Sequence, residues 1–141
     1  MSRFAVVVGL LLALGGCGAD ETVVKVVDEG THVTGTRSGA VTVPLGEKLV
    51  VDLGEVNHSI GDGWFLVTPP DRAVLTDEGD QYDSECDKPG CGGTMTWRFG
   101  TAAAGATELT LQYCYRSRPP NCEPMSDRGP ADPVEIAVTV S

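Results

Sequence analysis

The chain has 141 residues, with 10 lysines and arginines against 20 aspartates and glutamates, and a formal net charge of −10 at pH 7. A surface this acidic repels phosphate groups. It therefore argues against nucleic acid as a partner and against membrane binding through a basic patch. The length suits one domain with its own core and is too short for two.

Residues 1–16 have the pattern of a secretion signal. A short basic start containing Arg3 precedes an uninterrupted apolar run from Phe4 to Leu14, which is too short to span a bilayer comfortably. The small residues directly before Cys17 resemble the lipobox of bacterial lipoproteins. This resemblance implies cleavage before Cys17 and diacylation of Cys17. An ordinary signal peptide followed by an incidental cysteine is the alternative.

Cleavage before Cys17 would leave 125 residues (141 minus 16) with 9 basic and 20 acidic side chains, a formal charge of −11. Attachment to the membrane would then come from the lipid, and two acyl chains are enough for stable anchoring. We expect residues 17–21 to form a short lipidated tether and residues 22–141 to form one domain. The expected location is extracytoplasmic, at the cell membrane or envelope.

Four cysteines remain once Cys17 carries lipid: Cys86, Cys91, Cys114 and Cys122. Outside the cytoplasm, an even set predicts two disulfides, and four cysteines allow three pairings. We favour the local bridges Cys86–Cys91 and Cys114–Cys122, because Cys114 is predicted to face outward beside the loop that contains Cys122. A zinc site is the competing interpretation, but there is no Cys-x-x-Cys pair and both histidines lie far upstream. We expect neither a metal nor any other cofactor.

Alternating and β-branched runs predict strands in chain order. In the first half the predicted strands are 22–27, 40–43, 48–53 and 64–67, and residues 28–39 are predicted to be a loop. In the strand at 48–53, the apolar set Leu49, Val51 and Leu53 is expected to face the core.

The second half contains three further predicted strands, at 94–99, 107–116 and 133–140. The strongly acidic stretch 77–88 is interpreted as a solvated loop. Its carboxylates suggest calcium, but their spacing does not give the twelve-residue loop of a helix-loop-helix site. A proline-rich loop, 117–130, precedes the last strand.

About seven or eight short strands without a convincing amphipathic helix predict an all-β sandwich. Antibody-type domains are excluded because the strand at 48–53 lacks the cysteine that such domains place before the core tryptophan. Catalysis is not expected either. His58, Ser59 and Asp62 are neighbours in sequence, but their order and spacing match no nucleophile elbow.

The segment from Asn57 to Trp64 is a glycine-rich polar loop between two predicted strands. Its two glycines permit positive φ angles, and its short polar side chains can bond their own backbone, so a defined turn is expected. Ile60 is predicted to lie exposed at the tip. An apolar residue on a structured tip indicates contact with a partner.

Three motifs occur in a fixed order: Asn-x-Ser-x-Gly-x-x-Trp at 57–64, Gly-x-Gly-Gly at 90–93 and Arg-Pro at 118–119. Together they resemble the chagasin-type inhibitors of papain-like cysteine proteases, over 41–140. In that family the first motif reads Asn-Pro-Thr-Thr-Gly-Tyr-x-Trp and the third reads Arg-Pro-Trp. Ser59 replaces a threonine and keeps its hydroxyl, and four further positions of this chain depart from those motifs: His58, Ile60, Asp62 and Pro120.

The resemblance implies an immunoglobulin-like antiparallel β-sandwich whose three loops form a wedge at one end. The first loop would occupy the catalytic cleft of the protease, and the outer two would grip its walls. The residues expected to bind the protease are Asn57, His58, Ser59, Ile60, Gly61, Asp62, Trp64, Gly90, Gly92, Gly93, Arg116, Arg118, Pro119 and Pro120.

The departures from the family motifs are expected to affect the affinity for the protease. Asp62 would place a charge near the cleft, and Pro120 would remove a tryptophan anchor. The expected function is that of a lipid-anchored, monomeric inhibitor of papain-like cysteine proteases. The alternative is an envelope β-sandwich lipoprotein that does not inhibit, and that binds another protein or has a structural role.

Overall fold

The computed structural model describes residues 30–123 and 129–141, which form two packed β-sheets and contain no helix. The predicted signal, the lipidation site at Cys17, the tether and the strand expected at 22–27 lie outside the described residues. The eight strands are β1 (Thr31–Thr34), β2 (Gly39–Val43), β3 (Lys48–Val56), β4 (Asp62–Thr68), β5 (Leu75–Ser84), β6 (Gly93–Thr101), β7 (Gly105–Tyr115) and β8 (Val134–Val140).

The strands divide into two four-stranded sheets, ordered β1-β3-β6-β5 and β2-β8-β7-β4. Four of the pairings are antiparallel, but β1 runs parallel to β3 and β2 runs parallel to β8. The expected all-β sandwich of about seven or eight strands is therefore confirmed, and its two parallel pairings lie at the edge strands β1 and β2. The chain crosses between the sheets after β1 and after β2, so neither short strand can form a hairpin with its neighbour in sequence.

The core lies between the sheets and is built by alternation along the strands. In β3, Leu49, Val51 and Leu53 are buried as expected, and in β8 every second residue from Val134 to Val140 is buried. Because successive side chains of a strand point to opposite faces, these sets cover one face of each sheet. Phe99, Trp64 and Tyr113 fill the space between the sheets.

The acidic stretch predicted to be a loop is largely a strand. β5 pairs with β6 along its whole length, at the edge of the first sheet. Its charged side chains are exposed, and Asp77 Oδ1 accepts a hydrogen bond from Trp97 Nε1 at 2.7 Å. An edge strand with a solvated face needs no apolar alternation, and its charges discourage pairing with another chain. The polar strand β1 lies within the predicted loop 28–39 and is too short to give a clear pattern.

The topology brings three connections to one end of the sandwich. The end of β3, the start of β6 and the end of β5 are aligned, since Val56 is opposite Gly93 and Gly93 is opposite Ser84. Asp62, at the start of β4, is opposite Tyr115, at the end of β7. We call residues 57–61 the first loop, 85–92 the second loop, the described residues 116–123 the third loop, and the three together the loop end.

Candidate functional site at the loop end

The first loop is a closed turn held by its own backbone. Asn57 Oδ1 accepts a hydrogen bond from the Ser59 N–H at 2.9 Å, and the Ile60 N–H donates to the Asn57 carbonyl at 3.1 Å. Gly61 has a φ of +93°, and a Cβ there would lie 3.0 Å from Arg116 Cγ. Glycine is therefore required at position 61 by both conformation and space.

Two side chains of the first loop bind the backbone of the second loop at Gly90. Asn57 Nδ2 donates to the Gly90 carbonyl at 3.1 Å, and the Gly90 N–H donates to Ser59 Oγ at 3.1 Å. Both backbone polar groups of Gly90 are thus bonded to the first loop. Gly90 has a φ of +90°, which favours glycine at this position.

The second loop is closed at its base by a disulfide and a backbone hydrogen bond. Cys86 is bonded to Cys91, with 6.0 Å between their Cα atoms, and the Glu85 N–H donates to the Gly92 carbonyl at 2.9 Å. The predicted pairing of Cys86 with Cys91 is confirmed. These two links fix the loop that carries Gly90.

Tyr82 of β5 joins the second loop to the first. Its hydroxyl donates to the Cys91 carbonyl at 3.3 Å, and its ring stacks on His58 with centroids 4.1 Å apart. A Cβ on Gly93 would come within 2.8 Å of the same ring, so the ring can pack here only against glycine. Although His58 is exposed, its ring is thus held in place by the stacking contact with Tyr82.

The third loop is attached to the first through Arg116. The Arg116 N–H donates to the Gly61 carbonyl at 2.9 Å, and Arg116 Nε donates to the Ile60 carbonyl at 3.2 Å. Arg116 has a φ of 53°, in the left-handed region that non-glycine residues seldom adopt. No sequence motif indicates that Arg116 joins two loops.

A second disulfide fixes the third loop to β7. Cys114 is bonded to Cys122 with 5.0 Å between Cα atoms, which confirms the predicted pairing. Cys114 is fully buried, however, and the expectation that it faces outward is wrong with respect to solvent. The third loop folds back on β7, where the Tyr115 N–H donates to the Glu123 carbonyl at 2.8 Å.

Asp62 does not present its charge to a partner. Its side chain is only 3% exposed, and its carboxylate accepts hydrogen bonds from the Asn57 N–H and, at 2.7 Å, from the Tyr113 hydroxyl. Trp64 is also buried and makes an edge contact with Tyr113 at a centroid distance of 5.8 Å. These two side chains thus support the first loop from within, and their contact with a protease stays a prediction.

The remaining predicted contact residues differ in how much of each is accessible. Asn57, Ile60, Gly92 and Pro119 are half-buried, and Gly93 is buried. Ile60, expected to be exposed at the tip, is thus only partly exposed. The exposed members are His58, Ser59, Gly61, Gly90, Arg116, Arg118 and Pro120. Among these predicted contact residues, the charged members at the surface are therefore the two arginines, and Ile60 is the half-buried apolar residue of the first loop.

Neither a metal-binding cluster nor a membrane-spanning helix occurs in the part of the chain that the structure describes. Within residues 30–123 and 129–141, no three His, Cys, Asp or Glu side chains are grouped so as to hold a metal ion. The same part of the chain contains no helix long and apolar enough to cross a membrane.

Comparison with known families gives a match over most of the described sandwich. Residues 42–125 match the model of a family described as the chagasin family of peptidase inhibitors, I42. Members of this family are inhibitors of peptidases and not enzymes. No curated protein matches the chain.

Three solved structures are similar in fold. A cysteine protease inhibitor from Entamoeba histolytica is 16% identical, with a TM-score of 0.58 over 79% of this chain and 95% of that chain. Amebosin is 17% identical, with a TM-score of 0.56 over 79% of this chain and 98% of that chain. The inhibitor PbICP-C, solved in complex with falcipain-2, is 16% identical, with a TM-score of 0.51 over 79% of this chain and all of that chain.

Replacing Asp62 by alanine should lower the free energy of unfolding by roughly 2–4 kcal/mol, because the buried Tyr113 hydroxyl and the part-buried Asn57 N–H both lose this acceptor. Denaturant unfolding with the disulfides intact measures the change. Asp80→Ala is the matched control, since Asp80 is exposed, and its effect should stay within about 0.5 kcal/mol. Equal unfolding midpoints for the two variants would contradict this role for Asp62.

Proposed function

Since the chain belongs to the chagasin family of peptidase inhibitors, we propose that it inhibits papain-like cysteine proteases by filling their active-site cleft with the loop end. The observation that carries this proposal is the bonding of Gly90 to the side chains of Asn57 and Ser59. Together with the contacts of Arg116, these hydrogen bonds join the three loops into one body.

A joined loop end suits inhibition because little conformational entropy is left to lose on binding. Standard protease–inhibitor interfaces bury about 800 Å² on each partner, and their affinity depends strongly on preorganisation. Here the second and third loops are each closed by a disulfide, and the first is closed by its own turn.

The shape of the first loop also explains how it would resist cleavage. Attack on a peptide bond requires the carbonyl carbon and the nucleophile in close, aligned contact. In the first loop, the carbonyls of Asn57, His58, Ile60 and Gly61 each accept a hydrogen bond from the protein itself. The turn would therefore block the nucleophile without presenting an extended substrate.

The fold similarity to PbICP-C, whose structure was solved in complex with falcipain-2, supports a protease as the partner. The departure from the family motif at Asp62 is compatible with this proposal, because the Asp62 carboxylate is buried and hydrogen-bonded. At Pro120, an exposed proline stands in place of an aromatic anchor, so affinity would depend more on the first loop.

We further propose that the mature inhibitor is held at the outer side of the cell membrane by lipid on Cys17. This proposal rests on the apolar run at 4–14 and on the small residues before Cys17. The net acidic charge leaves the lipid as the attachment to an anionic bilayer.

Residues 18–141, with both disulfides formed, should inhibit papain or a related cathepsin with one-to-one stoichiometry. Ile60→Asp should raise the inhibition constant by about 100-fold, because the cleft would desolvate a carboxylate without a partner. Enzyme titration and progress curves measure both quantities. Leu45→Asp is the control, as Leu45 is 52% exposed in the turn before β3, at the opposite end of the sandwich.

If Ile60→Asp leaves the inhibition constant unchanged, the first loop does not lie in the interface with the protease. If the folded wild-type protein inhibits neither enzyme, the alternative role as a non-inhibitory envelope protein is favoured. Equal melting temperatures for wild type and both variants would show that the comparison reports binding.

Cys17→Ala in the full chain should abolish incorporation of labelled palmitate in the bacterial host and release the protein from the membrane fraction. Alanine cannot carry the thioether-linked lipid, so both results follow from one change. The reference protein is the Cys86→Ala/Cys91→Ala variant, which keeps Cys17 and should still be labelled. Labelling that persists after Cys17→Ala would contradict the anchor.

A further inference from the structure

The charge of the loop end is distributed unevenly between the second and third loops. The chain as a whole has a net charge of −10, and the second loop contains Glu85, Asp87 and Lys88. The third loop instead presents two exposed arginines, Arg116 and Arg118, against one exposed carboxylate, Glu123. The third loop thus carries a net positive charge (2 minus 1) on an otherwise acidic protein.

Both guanidinium groups are held in place over aromatic rings. The Arg116 guanidinium carbon lies 5.4 Å from the centroid of the Tyr115 ring, and that of Arg118 lies 5.9 Å from the centroid of the Phe65 ring. Arginine above an aromatic face within about 6 Å is a favourable cation–π arrangement. The two charges therefore have defined positions and do not sample the full range of a free side chain.

Neither guanidinium forms an ion pair with a carboxylate of the described residues. The ion pairs found there are Lys48 with Glu78, and His32 with Asp52, away from the third loop. The carboxylate at the base of the first loop, on Asp62, is buried and bonded to Asn57 and Tyr113. The two arginines thus keep their charge available to a partner.

The backbone at Arg116 gives a second indication. Its φ of 53° lies in a region that glycine or asparagine would occupy at lower cost. An arginine at such a position is most simply explained by a use for its side chain. Its Nε–H bond to the Ile60 carbonyl accounts for one nitrogen of the guanidinium.

From this arrangement we infer that the third loop selects, among papain-like proteases, those whose facing cleft wall carries carboxylates. The inference rests on the proposed inhibitory function. Fixed positive charges opposite an acidic wall raise the association rate and set the orientation of approach. They also offset the repulsion between an acidic protease and the acidic remainder of the inhibitor.

The test compares two papain-like proteases that this protein inhibits. One has a cleft wall rich in carboxylates on the side that faces the third loop, and the other has no carboxylate on that wall. Wild-type full chain should associate about ten times faster with the acidic-walled enzyme at low salt, and 0.5 M NaCl should remove most of that difference. Arg118→Gln should lower the ratio of the two association rates as well, because it removes one of the two fixed positive charges. Arg118→Lys should retain the ratio, because the charge is kept.

Arg72→Gln is the matched control, since it makes the same charge change at an exposed residue between β4 and β5, at the opposite end of the sandwich. It should leave the rate ratio between the two proteases unchanged. Inhibition of both enzymes at rates that neither salt nor Arg118→Gln alters would overturn the charge selection and leave the inhibitory function standing. Failure to inhibit either enzyme would overturn both.

Discussion

The buried carboxylate of Asp62 is the point at which the sandwich core determines the shape of the loop end. One of its oxygens accepts the backbone N–H of Asn57, and the other accepts the hydroxyl of Tyr113 from the facing strand. A charged group that is 3% exposed is tolerated only when hydrogen bonds compensate its desolvation. Position 62 therefore fixes where the first loop begins relative to β7.

The contacts of the other loops depend on that starting point. With Asn57 in place, its amide reaches Gly90 and orders Ser59, and Ser59 in turn receives the Gly90 N–H. Arg116 closes the opposite side by binding the Ile60 and Gly61 carbonyls. These contacts explain physically why an acidic residue can stand at position 62, where the inhibitors of this family have a tyrosine. The carboxylate stabilises the loop from inside and adds no charge to its surface.

The parts of the fold that could be predicted from the sequence are those that depend on local alternation. The inward sets of β3 and β8, the strand containing Phe99 and both disulfides follow from patterns within about ten residues. β5 was missed because its pairing partner and its edge position, and not its own apolar residues, make it a strand. The parallel pairing of β1 with β3 depends on a crossover between sheets, which no local pattern records.

The candidate site shows the same division. Motif spacing located the three loops and identified Asn57, Gly90 and Arg118 in them. It could not show that Asp62 is buried, because that depends on Tyr113 in a strand far along the chain. It also could not assign Tyr82, which packs against His58 and Gly93, since no motif contains it. Contacts between distant segments are set by topology, and the sequence reveals them only where a family motif has preserved them.

Protection of the catalytic thiol of the protease tests most directly whether the loop end occupies the active-site cleft. A papain-like protease should be mixed with one equivalent of the disulfide-bonded inhibitor and treated with iodoacetamide, with mass spectrometry following alkylation. We expect the catalytic cysteine to stay unmodified and the inhibitor to remain uncleaved. Alkylation at the rate of the free enzyme, within a complex shown to be stoichiometric, would contradict occupation of the cleft by the loop end.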